Sequence, residues 1–114
     1  MRFYGLKTCD TCRKARSALE AAGHDLQVTD VRADGVPAPE IARIVAAFGD
    51  RAVNRASATW RALAEADRAL PTEALLAAHP TVMKRPVIEA GGAWHLGWGK
   101  DVQAALLGKP AASA

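Results

Sequence analysis

The two cysteines of the chain stand two residues apart, in Gly5-Leu6-Lys7-Thr8-Cys9-Asp10-Thr11-Cys12, where a short apolar run gives way to helical periodicity. This stretch demands a strand, a tight turn and then a helix opening on the cysteines, and the rest of the chain has to be arranged around it. Cys9 falls in the turn before the helix. There, unpaired backbone N–H groups and the positive end of the helix dipole stabilise a thiolate. Lys7, Arg13, Lys14 and Arg16 outnumber the acid among them, Asp10, so the neighbouring charges are expected to favour a negative sulfur too. Cys12 begins an apolar stripe of Cys12, Ala15, Leu19 and Ala22 and is expected to face the core.

A Cys-x-x-Cys pair serves either as half of a zinc site or as a redox centre. Zinc takes four ligands. The other soft candidates, His24, His79 and His95, do not repeat the close spacing of a second half-site, so the redox reading is preferred and no metal is expected. A length of 114 residues suits one domain with one core. With 50% hydrophobic residues but only 5% aromatic ones, that core must come largely from Ala, Val, Leu and Ile, and helices should dominate. The net charge of +3 is mild and the arginines are spread out, which gives no indication of nucleic-acid binding. Met1-Arg2-Phe3-Tyr4-Gly5 is too short and polar for a signal peptide, and no apolar run approaches bilayer length. A cytoplasmic location without membrane contact is expected. Thiols rest reduced there, so a disulfide between Cys9 and Cys12 would be a catalytic or sensing intermediate.

Arg2 to Gly5 reads as a strand, followed by a helix from about Thr11 to Ala22 with Gly23 as its stop. A second strand follows, with Leu26 and Val28 alternating with polar neighbours. Strand, crossover helix and strand imply a parallel pair. Arg32 to Pro37 is a loop. Ile41, Ile44, Val45 and Phe48 then mark an amphipathic helix from Pro39, ended by Gly49. Trp60, Leu63, Asp67 and Leu70 fall on one face of a further helix, and Thr72 is placed to cap a short last one before Pro80. Beyond Pro80 the period changes: Val87 to Ala90, Gly91-Gly92, and Ala93 to Leu96 form a hairpin signature. Val102, Ala105 and Leu106 mark a final helix ended by Gly108. The order predicts an α/β, thioredoxin-like fold with an all-helical insertion at about 37–80 and a mixed sheet of about four strands. It would be one domain over 1–114, with a disordered tail at about 109–114.

Several motifs resemble the arsenate reductase/Spx (ArsC) family, most closely its small YffB-like members. They are Cys9-Asp10-Thr11-Cys12-Arg13-Lys14-Ala15-Arg16, Lys84-Arg85-Pro86-Val87-Ile88 and Leu96-Gly97-Trp98, with Asn54-Arg55 ahead of Thr59-Trp60-Arg61. The resemblance implies that Cys9 is the nucleophile and that Cys12 is a second thiol found in only some members, notably Spx. It implies that Arg85 faces the nucleophile and steadies an oxyanion, that Pro86 is cis, and that Arg55 is a second anion-binding arginine. The expected catalytic residues are then Cys9, Cys12 and Arg85, and the expected substrate-binding residues Lys7, Arg13, Arg55, Arg85 and Pro86. The third arginine of arsenate reductases is replaced by Gly97-Trp98-Gly99, which argues against arsenate as a substrate. Arginine's planar fork suits a carboxylate, and glutathione presents carboxylates.

The function so implied is a thiol-dependent reductase, resolved by glutathione, glutaredoxin or Cys12, with glutathione as co-substrate and no bound cofactor. The rival is an Spx-like redox switch that binds the RNA polymerase α subunit, which the match of Cys12 to Arg16 supports. The insert and Asp10-Thr11 look more YffB-like. Trp60, Trp94 and Trp98 are expected to be packing residues, and His24 and His95 structural or solvent-facing.

Overall fold

Residues 1–108 are described by the computed structural model, and the tail expected at 109–114 lies outside them. Four strands, β1 (Arg2–Gly5), β2 (Gln27–Asp30), β3 (Val87–Ala90) and β4 (Ala93–Leu96), form a mixed sheet in the order β2-β1-β3-β4. Strand β1 runs parallel to β2 on one side and antiparallel to β3 on the other, and β3 pairs antiparallel with β4. Together with its helices this is an α/β, thioredoxin-like fold. The chain divides into two compact units, Met1–Asp30 with the segment from Arg85 onward, and Val31–Lys84.

The first unit holds the sheet, helix α1 (Asp10–Ala21) and helix α6 (Lys100–Leu107). Helix α1 buries Cys12, Ala15 and Leu19 at helical spacing against Phe3 and Ile88 of the sheet and Val102 of α6. Burying such side chains contributes roughly 1.5–3 kcal/mol for each large one, and this cluster holds α1 on the sheet. Ala22, the expected fourth member of the stripe, is exposed: the helix has ended and its N–H bonds back to the Ala18 carbonyl. Gly23 then turns the chain at φ +92°. Val28 departs from the expected alternation, being 38% exposed on the edge strand β2, while Leu26 packs on the core. In α6, Leu106 and Leu107 pack inward and Ala105 is exposed. The hairpin turn Gly91-Gly92 has φ +56° and +85°, the left-handed values a two-residue connection needs.

The second unit is helical. Helix α2 (Ala38–Phe48) buries Ile41 and Ile44, and α5 (Thr72–Ala78) buries Leu75 and Leu76 and packs on α2. The one helix expected through Trp60 and Leu70 is two, α3 (Ala58–Ala62) and α4 (Glu65–Arg68), separated by extended backbone at Leu63 and Ala64. Neither has a buried residue, so no packed stripe carries a helix across the gap. The Arg68 side chain instead donates to the carbonyls of Trp60 and Arg61, satisfying the end of α3. Thr72 is not a cap; Pro71 takes that place, and the Thr72 hydroxyl donates to Asp50. Among the described residues, no helix is long and apolar enough to cross a membrane.

Candidate active site

Register decides which residues meet at the end of the sheet. Tyr4 lies opposite Val87 and Gly5 opposite Asp30, so the loop leaving β1, the last residue of β2 and the residues entering β3 share one edge. Leu96 lies opposite Val87, and the Gly97 N–H donates to the Pro86 carbonyl at 2.8 Å, which brings Gly97 to the same edge. Cys9, Arg85 and Pro86 are thereby gathered from segments far apart in sequence. The Arg85–Pro86 peptide bond is cis.

Cys9 is the N-cap of α1, with φ −86° and ψ 117°, and its Sγ accepts the Cys12 N–H at 3.4 Å. A sulfur in this position takes the place of the Ser or Asp oxygen that usually satisfies the first turn. Burial works against ionisation of Cys9. Hydrogen bonds from the side chain and backbone of Cys12, then the charge and hydrogen bond of Arg85, outweigh it and hold the thiol below its ordinary value. Cys12, 2% exposed in the core, is pushed the other way, up to about 12. Burial is the main cause, followed by its hydrogen bond to Cys9 and the negative charge there. At neutral pH the pair is thus a partly exposed sulfur poised to ionise in front of a buried thiol that keeps its proton.

Gly5 makes that depth possible. A Cβ at Gly5 would lie 2.9 Å from Phe3 Cε1 and 3.0 Å from Cys12 Sγ, closer than packed side chains tolerate. Gly5→Ala is therefore expected to destabilise the protein by about 1–3 kcal/mol, read as a lower urea midpoint at unchanged slope. An unchanged midpoint would mean that the ring and the thiol can yield.

The neighbouring cations do not act as the sequence led us to expect. Arg13 is ion-paired with Asp10 on the exposed face of α1, and its hydrogen bond and charge hold the Asp10 carboxyl below the usual range. Arg16 bonds Glu20 at 3.1 Å. The positive charge that acts on Cys9 is that of Arg85. Lys7 reaches the site through its backbone, its N–H donating to Asp30 Oδ2 at 3.1 Å, while its side chain is exposed. Arg55 belongs to the second unit, where its guanidinium lies over the Trp60 ring at 5.3 Å; Arg68 covers the same ring at 5.6 Å. Trp94 stacks on Tyr4, Trp98 packs on the core, and His24 bonds the Leu106 carbonyl at 3.0 Å. Among the described residues, no three His, Cys, Asp or Glu side chains gather as a metal site. The residue that sequence reasoning missed is Asp30, whose only signal is an acid at the end of a strand that would otherwise run into the core.

A family model, the ArsC family, matches residues 4–106. An uncharacterized protein of Haemophilus influenzae is 38% identical over 109 residues, covering 90% of this chain and 96% of that protein. Among solved structures, the YFFB protein is 37% identical with a TM-score of 0.84, covering 93% of this chain and 97% of its own. An arsenate reductase (ArsC) related protein from Brucella melitensis is 33% identical with a TM-score of 0.68, covering 91% of each chain.

Proposed function

Because the chain belongs to the ArsC family, we propose that it is a thiol-dependent reductase in which the Cys9 thiolate attacks a disulfide sulfur of a glutathione-type substrate. The observation that carries this reading is the Cys9 sulfur at the helix N-terminus, receiving the Cys12 N–H and held below its ordinary pKa with Arg85 beside it. Attack forms a Cys9–S–S–R bond and breaks the substrate's S–S bond; the departing R′–S⁻ leaves under the Arg85 charge and takes a proton from solvent. A glutathione thiolate then attacks the mixed disulfide, forming oxidised glutathione or its R-substituted equivalent and restoring the Cys9 thiolate. Cys12 resolves the adduct by a second route once it gives up its proton, leaving a Cys9–Cys12 disulfide for glutathione to reduce. Arg85 and Pro86 line the substrate's approach, and Arg85 binds its carboxylate. With Gly97-Trp98-Gly99 in place of a third arginine, arsenate is a poor acceptor.

Incubation with glutathione and a small mixed disulfide should oxidise glutathione catalytically, with a glutathione adduct found on Cys9 by mass spectrometry. Iodoacetamide should label Cys9 before Cys12, with a rate that rises with pH and reaches half its plateau below the ordinary thiol value of about 8.5. Capture of the RNA polymerase α subunit with no thiol turnover under any donor would favour the regulator instead. First labelling at Cys12 would reverse the two thiols' roles.

A further inference from the structure

Asp30 is the buried charged side chain of the described residues, 9% exposed, and it stands where a strand that feeds a core would carry an apolar residue. Its carboxylate is turned onto the neighbouring segment: Oδ2 accepts the Lys7 N–H at 3.1 Å. Lys7 is the second residue after β1. The turn it belongs to closes when the Cys9 N–H donates to the Leu6 carbonyl at 3.2 Å, and the Arg13 N–H bonds the Cys9 carbonyl at 3.0 Å to start α1. Leu6-Lys7-Thr8-Cys9 is a short span between two fixed points, the end of the sheet and the first turn of the helix. Pinning one N–H in the middle removes most of its freedom.

We propose that Asp30 is a positioning residue for the nucleophile: through the Lys7 N–H its carboxylate fixes the turn that presents Cys9 Sγ to the N–H of Cys12. The inference rests on the reading of Cys9 as the reacting thiol and adds the group that aims it. Register brings Gly5 opposite Asp30, so the carboxylate lies one step from the point where the turn departs. An oxygen acceptor at this point is what the geometry uses. A loosened turn would let the sulfur swing away from its donor, and the thiolate would lose that stabilisation while the helix and sheet stayed in place.

The test is the pH profile of Cys9 alkylation, which needs no substrate and so stays readable whatever the fate of the reductase reading. In Asp30→Ala the rate at neutral pH should fall roughly three- to tenfold, the effect of losing one hydrogen bond carried into a thiol pKa. In strongly alkaline solution, where the thiol is ionised regardless, the rate should converge on wild type. Asp30→Val, a strand former of similar size, gives a second acceptor-free variant should the alanine protein fail to fold. Asp30→Asn keeps an oxygen on the Lys7 N–H and should restore most of the wild-type rate. Profiles of the acceptor-free variants that superimpose on wild type would overturn the proposal. So would an asparagine variant as slow as alanine, since charge and not the bond would then matter. Faster alkylation in any of the three would overturn it too.

Discussion

Cys9→Ser should lose about a thousandfold or more of disulfide-exchange turnover, down to the uncatalysed reaction between the two small molecules. A serine hydroxyl is not ionised at neutral pH and forms no adduct that a second thiol can resolve. The same change should leave the fold intact or slightly firmer, because serine is among the best N-cap residues and the Cys12 N–H is there to be accepted. Activity and stability thus move in different directions, which thermal unfolding measured beside turnover will show. Cys12→Ser should retain part of the turnover, glutathione taking over resolution. It should also lose stability, since a hydroxyl replaces a 2% exposed thiol among Phe3, Ala15, Leu19 and Ile88. Full turnover in Cys9→Ser would remove the proposed mechanism outright.

Arg85→Ala should slow turnover at neutral pH by about 10- to 100-fold. Two losses combine, and pH separates them. Without the guanidinium the Cys9 thiol rises toward its ordinary value, so the pH at which alkylation reaches half its plateau moves up. Above that point the alkylation rate of the variant should meet that of wild type. Turnover with glutathione should stay low even there, because the carboxylate of the substrate has also lost its partner. Arg85→Lys keeps a charge but not the fork and should recover the alkylation profile better than KM. Equal kcat/KM in wild type and Arg85→Ala at matched stability would make Arg85 a surface charge and nothing more.

What could be read in advance divides along the range of the interactions involved. The first strand, the first helix and the hairpin announce themselves in local pattern: β-formers before Gly5, an apolar stripe from Cys12, glycines at Gly91 and Gly92. The break between α3 and α4 does not. Leu63 and Ala64 are good helix formers, and the helix stops there because neither short helix has a buried residue to anchor a longer one and because Arg68 folds back onto its last carbonyls. At the site, Cys9 was legible from its position ahead of a helix. The charge that acts on it was misread from the neighbouring sequence, since Arg13 and Arg16 are taken by Asp10 and Glu20. Arg85 entered by resemblance alone. The pairing of Tyr4 with Val87 that delivers it is a contact between distant segments, and no local window contains it. Asp30 escaped for the same reason, its meaning residing in a backbone N–H of another segment.

The Gly91-Gly92 turn offers a practical handle. Strand β3 starts at the cysteine edge and reaches the turn only after Ala90, a run of four residues or roughly 13 Å. Both glycines are exposed, and each has open space where a Cβ would be. A maleimide dye meant for a cysteine introduced there would also label Cys9. A short epitope loop spliced between Gly91 and Gly92 would not, and it would let the protein be immobilised with its reactive sulfur facing the solution.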